Sequence, residues 1–176
     1  MIIGEKELNA EFAKLSEYEM KDAISDAISF VQEAAKGECP KVYGDLRESI
    51  ATDVERKGDY VVGTCYTNKE YGIYVEFGTG PKGQENHAGI SPDVAVAYTQ
   101  SPWWIPEGSQ NGEIDREIAD MYHMPRYTHK LDGYLEYEKT FRYTEGQPAH
   151  PFMYPALADH VDDVLDIIRK DVKKKL

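Results

Sequence analysis

The chain has 176 residues, 41% of them hydrophobic and 30% charged, which predicts a single soluble domain with one core. Its formal net charge of −12 argues against a surface that grips nucleic-acid phosphates, because such surfaces need clustered Lys and Arg. No run of about 18 apolar residues is present, so no membrane span is expected. Cys39 and Cys65 lack the spacing of a metal site and are expected to be reduced thiols of a cytosolic protein.

The first predicted element is a long amphipathic helix over residues 5–36. Its apolar residues recur largely at steps of three and four, and they are Leu8, Phe12, Leu15, Ile24, Ala27, Ile28, Val31 and Ala35. Gly37 and Pro40 mark its end. Such a helix is about 45–50 Å long, which is more than one small core covers. We therefore expect it either to kink or to place part of its apolar face against another chain.

A β-hairpin is predicted over residues 45–66. Side chains alternate in character along residues 50–55, the turn falls at Lys57-Gly58-Asp59, and residues 60–66 return as a second, more apolar strand. The following segment, 68–77, has no clear period and fits either a short helix or a strand.

Residues 80–146 are predicted to be a β-rich insertion. Their sequence patterns are weaker than those of the preceding elements. Glycine and polar residues predominate over 78–93 and predict a loop, while 94–98 is a candidate short strand. A short helix is predicted near 112–122 with Asn111 as its N-cap. Leu131-Asp132-Gly133 predicts a turn, and residues 134–144 alternate as a strand.

Both tryptophans of the chain, Trp103 and Trp104, stand between Pro102 and Pro106. Neighbouring side chains of an extended strand point to opposite faces, so one indole is expected in a local core and the other outside. An outward indole favours contact with another protein, as do the thirteen tyrosines of the chain. The alternative is that both indoles are buried within residues 94–144.

The last predicted element is a helix over residues 152–175, with Pro155 in its first turn. One apolar stripe runs along it and consists of Leu157, Val161, Val164, Leu165, Ile168 and Val172. Acidic residues lie towards its start and basic ones at its end, an order that complements the helix dipole.

No catalytic, cofactor-binding or metal-binding residue is predicted. Residues 78–83, Gly-Thr-Gly-Pro-Lys-Gly, lack the Gly-Lys-Ser/Thr ending of a phosphate-binding loop and are interpreted as a mobile loop. The five histidines have no metal-binding spacing and are His87, His123, His129, His150 and His160. Four acids would hold a cation only if the fold gathers them, and they are Glu107, Asp115, Glu117 and Asp120.

Three short motifs occur in an order that resembles the head–tail joining proteins of long-tailed bacteriophages, also called neck or tail-completion proteins. They are Gly-Asp-Leu-Arg-Glu-Ser-Ile at 44–50, Tyr-Gly-Ile-Tyr-Val-Glu-Phe-Gly-Thr at 71–79, and Gln-Pro-Ala-His-Pro-Phe-Met-Tyr-Pro-Ala at 147–156. The residues that carry the resemblance are Gly44, Leu46, Arg47, Ser49, Tyr71, Tyr74, Glu76, Phe77, Gly78, Thr79, Pro148, Pro151, Phe152 and Pro155. Gly72 stands where the family often has alanine, and the 80–146 insertion separates motifs that lie close together in short members.

The resemblance implies an α+β protein in which two helices, at 5–36 and 152–175, pack on an antiparallel sheet. It also implies a non-enzymatic virion protein, assembled in the bacterial cytoplasm into a homo-oligomeric ring of six or alternatively twelve copies. Its implied partners are connector and tail-tube proteins, and DNA would pass through the ring without specific binding. We further expect Arg47 to pair with Glu76, and acidic groups to line the channel.

Two other functions stay open from the residues alone. One is a small metal-dependent hydrolase that uses acids of the 107–120 region. The other is a soluble adaptor that binds a cellular partner through Trp103 and Trp104.

Overall fold

A computed structural model describes residues 20–41, 44–110, 112–131 and 137–175. The part of the predicted N-terminal helix before Met20 lies outside this description. The helices are α1 (Lys21–Glu38), α2 (Gly44–Ser49), α3 (Gly72–Phe77), α4 (Gly80–Glu85), α5 (Arg116–Met121), α6 (Tyr154–Ala158) and α7 (Val161–Lys175). The strands are β1 (Ala51–Lys57), β2 (Tyr60–Tyr66), β3 (Trp103–Pro106), β4 (Arg126–Leu131) and β5 (Tyr137–Thr144). The predicted α+β class is confirmed, and both sheets are antiparallel.

The fold consists of two compact units. The terminal unit contains the described residues up to Gly72, Gly89–Ser91 and the described residues from Pro151 onwards. The inserted unit contains Ile73–Ala88 and Pro92–His150. The second and third sequence motifs are each divided at this boundary.

Helix α1 is the centre of the terminal unit, where it packs against the β1–β2 hairpin, α6 and α7. Its buried residues follow one another at steps of four, and they are Ala23, Ala27, Val31 and Ala35. These small side chains form a narrow stripe that allows close packing. The hairpin lies close to α1 at Gly63, where an added Cβ would lie 2.9 Å from Cγ2 of Ile24.

The hairpin pairs from Ala51 with Tyr66 to Lys57 with Tyr60, and its Gly58-Asp59 turn lies within the predicted turn at 57–59. Gly58 has φ +62°, a conformation that glycine adopts without steric cost. The preceding residues 45–49 were expected to enter the hairpin, but they form helix α2. Burial of Leu46, which is 0% exposed, favours this single turn of helix.

The C-terminal segment, expected as one helix, consists of α6 and α7 with a break at Asp159 and His160. The His160 amide donates to the carbonyl of Leu157, three residues earlier, so α6 ends in a tight turn. The amide of Val164 then donates to the His160 carbonyl and begins α7.

The inserted unit contains a three-stranded sheet in the order β3-β5-β4. Two expectations for this region are wrong. The predicted loop over 78–93 contains helix α4, and residues 94–98 form no strand. Instead, the Tyr98 hydroxyl donates to the Phe77 carbonyl at 2.8 Å, so this segment is held by a side chain and not by a strand ladder.

Helix α5 lies within the predicted range but begins later than expected. Its N-cap is Asp115, whose carboxylate accepts from the amides of Glu117 and Ile118, and Asn111 lies outside the described residues. The 137–144 part of the predicted strand is β5, while residues 132–136, including most of the predicted Leu131-Asp132-Gly133 turn, also lie outside the description.

Candidate assembly site at the motif junctions

The first two motifs meet in the terminal unit through the side chains of Asp45 and Tyr71. The Tyr71 hydroxyl donates to Oδ1 of Asp45 at 2.5 Å, and the Lys69 ammonium lies 3.1 Å from Oδ2. Tyr71 and Lys69 therefore both donate to the Asp45 carboxylate. Each of its oxygens has a protein partner, although most of the Asp45 side chain is exposed to solvent.

These contacts shift the acid–base equilibria of both residues. The hydrogen bonds from Tyr71 and Lys69 hold the pKa of Asp45 below its usual value, since they stabilise the charged carboxylate. The pKa of Tyr71 is raised, first by burial and then by its bond to Asp45. Asp45 is thus an anion, and Tyr71 a neutral donor, over the whole neutral range.

A second contact in the terminal unit joins Ser49 of the first motif to Thr67, the residue after β2. Oγ of Ser49 lies 2.6 Å from Oγ1 of Thr67 and also donates to the Leu46 carbonyl. Gly72 packs on this corner, where an added Cβ would lie 3.1 Å from Thr67 and 3.2 Å from Leu46. Alanine, which the resembled family often has at this position, therefore requires a shift of a few tenths of an ångström.

The second and third motifs meet in the inserted unit, where Thr79 and Gln147 form an antiparallel bridge. The Thr79 amide donates to the Gln147 carbonyl at 2.9 Å, and the Gln147 amide donates back at 3.1 Å. The Gln147 side chain also donates to the Tyr74 carbonyl at 2.8 Å. This bridge brings together the two ends of the 80–146 segment.

Glycines make this bridge possible by allowing close backbone contact. At Gly146, with φ +90°, an added Cβ would lie only 1.8 Å from the Thr79 carbonyl oxygen. At Gly78, with φ +73°, it would lie 2.7 Å from the Ala149 amide nitrogen. The 78–83 stretch, interpreted as a mobile loop, is therefore a packed junction whose glycines are needed for space and positive φ.

The other motif residues divide between exposed and buried positions. Arg47, Tyr74 and Pro148 are exposed, whereas Glu76 and Phe152 are 5% and 1% exposed. Gly44 is exposed as well, while Phe77, Pro151 and Pro155 are half-buried. Arg47 and Glu76 belong to different units, and their pairing stays a prediction.

The two tryptophans lie on opposite faces of the inserted sheet, in β3. Trp103 packs towards Gly80, where an added Cβ would lie 2.7 Å from its ring. Trp104 is 50% exposed, and its ring centroid lies 5.3 Å from that of Tyr143 and 5.8 Å from that of Tyr127. The expectation of one inward and one outward indole therefore agrees with the geometry.

An ionic cluster on the Trp103 side of this sheet was not predicted from the sequence. Arg142 is 3% exposed; its Nε donates to Glu107 at 2.6 Å, and its Nη2 lies 2.7 Å from Asp120. Its Nη1 donates to the Met124 carbonyl, and Arg126 lies 3.6 Å from Glu107. Two of the four acids considered as cation ligands thus pair with arginine, and a third, Asp115, caps α5.

Across the described ranges, no group of three His, Cys, Asp or Glu side chains is arranged to hold a metal ion. Cys39 and Cys65 are free thiols, and burial raises the pKa of both. No helix in the described part of the chain has the length and hydropathy to span a membrane.

Comparison with known proteins identifies a family over the first part of the chain. Residues 5–78, less than half of the 176 residues, match the family described as "Bacteriophage HK97-gp10, putative tail-component". No curated protein and no solved structure matches the chain. The match includes the first motif and all but the last residue of the second, but not the third. It confirms the resemblance predicted from those motifs: residues 5–78 are similar to a family of bacteriophage tail components from the head–tail joining region.

Proposed function

We propose that this chain is a structural virion protein of the head–tail junction that forms a homo-oligomeric ring. Six copies are favoured by the resembled family and twelve are the alternative. The ring would join the portal-side connector to the tail, as a neck, tail-completion or tail-terminator protein does. The observation that carries this proposal is the match of residues 5–78 to a phage tail-component family, which also favours a non-enzymatic role.

The geometry of the 80–146 segment supports this assignment. Short members of the resembled family have the second and third motifs close together. Here the Thr79–Gln147 bridge brings them together in space despite the intervening residues. The segment thus has adjacent ends, as an insertion into a shorter ancestor requires, and would add a contact arm to a family core.

The hairpin supports assembly. Within the described residues β1 and β2 pair only with each other, so their outer edges have no partner strand. Such edges bind other chains readily, and natural proteins usually cover them. Tyr60 and Tyr66 on β2 are 75% and 44% exposed, which adds interface-type side chains to this surface. A neighbouring copy in a ring would cover both.

Charge supports a channel that DNA passes without adhesion. A net charge of −12 per copy gives an acidic ring, and acidic groups at the lumen repel phosphates. A lumen lined by Lys and Arg would contradict this part of the proposal.

A contact arm that binds neighbouring virion proteins is a second candidate role for the inserted unit. The exposed Trp104, with Tyr127 and Tyr143 against it, favours this role, because Trp and Tyr are enriched where interfaces gain most of their binding energy. Replacing Trp104 with Ala should then weaken attachment to particles while the ring forms normally. The matched control is Tyr60→Ala in the hairpin, which should weaken ring formation instead.

A phage that lacks this chain tests the proposed location. We expect it to produce filled heads and complete tails that do not join, and we expect an epitope-tagged copy to restore joining and to label the junction in electron micrographs. Label along the tail shaft or at the tail tip, or normal particles without the chain, would contradict the proposal.

A further inference from the structure

The sheet of the inserted unit has one covered face and one open face. On the covered face, Arg142 and Thr144 of β5 are 3% and 5% exposed. On the open face each strand contributes one aromatic side chain, and these are Trp104 from β3, Tyr143 from β5 and Tyr127 from β4. Trp104 and Tyr127 are 50% and 55% exposed, and Tyr143 is half-buried. We call these three residues the aromatic face.

Trp104 lies at the centre of the aromatic face, in contact with both tyrosines. Its ring plane is inclined at 65° to that of Tyr143 and at 59° to that of Tyr127. Because the planes are steeply inclined, ring faces and ring edges lie side by side and the surface is uneven. Such a surface fits small, rigid apolar groups better than a wide, flat ring system.

The centre of the aromatic face also offers a hydrogen-bond donor. The contacts of Trp104 with Tyr127 and Tyr143 are made through the rings, and no described residue accepts a hydrogen bond from its indole N–H. The indole nitrogen can only donate. A segment that covers Trp104 should therefore supply an acceptor as well as apolar surface.

Proline-rich segments combine these two properties. Proline has a rigid apolar ring and no backbone N–H, and in the polyproline II helix every backbone carbonyl stays free to accept. Such a segment is extended before it binds, so it loses little conformational entropy on an open aromatic surface. An α-helix fits less well, because its backbone carbonyls are bonded within the helix and are not free to accept from the indole.

Two charges towards the ends of β5 add a requirement on the segment. Lys139 is exposed on the same face, with its ammonium 5.9 Å from the Phe141 ring centroid. The Glu145 carboxylate lies 3.4 Å from the Tyr143 hydroxyl. Six extended residues separate Lys139 from Glu145 by about 20 Å, a length that about six residues of polyproline II cover. A segment with an acid and a base six residues apart is therefore complementary in charge.

We propose that the aromatic face binds a proline-rich segment of a neighbouring virion protein, with an acidic residue of that segment beside Lys139 and a basic one beside Glu145. Pyrrolidine rings of the segment pack against Trp104 and Tyr127, and one of its carbonyls accepts from the indole N–H of Trp104. This inference rests on the contact-arm role proposed above and names the chemistry of the partner.

Titration with short peptides, capped at both ends, tests this binding directly. Two peptides have five prolines between a lysine and an aspartate, in the two possible orders, and a third has alanine and glutamine in place of the prolines. Fluorescence anisotropy of the labelled peptides follows binding at chain concentrations up to about 1 mM. One proline peptide should bind at least about tenfold more tightly than the alanine–glutamine peptide. If neither proline peptide binds more tightly than that control, the proposal is overturned.

Variants of Trp104 show whether the peptide occupies the aromatic face. Trp104→Ala should weaken binding of the better peptide at least about tenfold. Trp104→Phe keeps a ring but loses the N–H, and should weaken it about fivefold, the equivalent of one net hydrogen bond. Tyr74→Ala is the matched control, since Tyr74 is 57% exposed in the same unit, and it should bind within about twofold of the unaltered chain. Unchanged binding by either Trp104 variant would contradict the proposal.

Glu145→Gln tests the charge requirement, because it keeps the shape of the side chain and removes its charge. It should weaken the better peptide about threefold at low salt, and equal affinity would contradict the assigned position of the basic residue. Mass photometry of Trp104→Ala tests the other occupant, a second copy of the chain. Loss of the oligomer in that variant would show that a copy covers the aromatic face and would overturn the proposal.

This inference and the contact-arm role fail separately. If Trp104→Ala weakens attachment to particles but no proline peptide binds, the partner chemistry is wrong and the contact arm remains. If a proline peptide binds but Trp104→Ala attaches to particles normally, the binding site remains and the contact-arm role is wrong.

Discussion

At the residue scale, the hydrogen bond from Tyr71 to Asp45 joins the first two sequence motifs. Each is in a different motif, and the motif spacing alone does not show that the two side chains meet. The bond between Asp45 and Tyr71 was not predicted, and the predicted pair of Arg47 with Glu76 stays a prediction. Asp45 lies in α2, a helix that was not predicted, so the sequence did not show where its side chain points.

Tyr71→Phe should lower the free energy of unfolding at pH 7 by about 1 kcal/mol, the usual value of a net hydrogen bond. The pKa of Asp45 is lowered in the folded chain, so its contribution is present above the unfolded pKa of about 4 and is lost as pH falls through the folded value. The variant and the unaltered chain should therefore converge in urea denaturation as the pH falls below the folded pKa of Asp45. The control, Tyr60→Phe, removes the hydroxyl of a residue that is 75% exposed, so it should leave the free energy of unfolding unchanged at every pH. An equal loss at pH 7 and at a pH below the folded pKa of Asp45 would contradict the assignment.

His123→Gly should stabilise the protein by about 1 kcal/mol. His123 has φ +52° at the end of α5, a left-handed conformation that costs about 1–2 kcal/mol for residues other than glycine. The Met124 amide donates to the Ala119 carbonyl there, as in the helix ending that normally has glycine. Thermal unfolding measures the effect, with His123→Ala as the control that should not stabilise. A lower melting temperature for the glycine variant would contradict this account.

At the element scale, the Thr79–Gln147 bridge depends on a glycine beside it. Gly146→Ala should destabilise the fold by more than about 3 kcal/mol, because its Cβ would overlap the Thr79 carbonyl. Gly112→Ala is a matched control, since Gly112 has a similar φ of +85° but no atom within 4 Å of the added Cβ. Denaturant unfolding should show a much smaller loss for the control. Equal losses would mean that backbone conformation, and not crowding at the bridge, explains the effect.

Arg142, the buried arginine of β5, should also contribute strongly to the stability of the inserted unit. Arg142→Met leaves Glu107, which is 12% exposed, without its closest cation and should cost about 3–5 kcal/mol. Arg169→Met removes an ion pair whose side chains are 63% and 61% exposed, and it should cost less than about 0.5 kcal/mol. Chemical denaturation of both variants compares the two pairs. A small loss for Arg142→Met would show that the cluster does not hold the unit together.

Elements with strong periodic patterns could be predicted, and those determined by distant contacts could not. The hairpin and most of α1 follow from side-chain alternation and three–four spacing. Helix α4, with sequence Gly-Pro-Lys-Gly-Gln-Glu, has poor helix propensity and depends on close packing at Gly80 and Gly83. Arg142 lies in a well-predicted strand, but its partner Glu107 is 35 residues earlier, so nothing local marks it as buried.

At the scale of the whole molecule, the described residues form two compact units, while the family match covers residues 5–78 alone. The prediction of one head–tail joining domain over residues 1–176 stays a prediction. The similarity of residues 5–78 to a phage tail-component family supports the structural role proposed above. In the inserted unit, β5, helix α5 and one outward indole were predicted from the sequence, whereas the buried Arg142 cluster was not, because the resembled family gives no pattern for residues 80–146.

The most direct test of the ring is mass photometry of the purified chain, alone and bound to particles or tail tubes. One species near six or twelve times 20.0 kDa, or a monomer that joins particle ends at six or twelve copies, is the predicted result. A monomer that does not bind particles or tail tubes at any concentration would contradict the account.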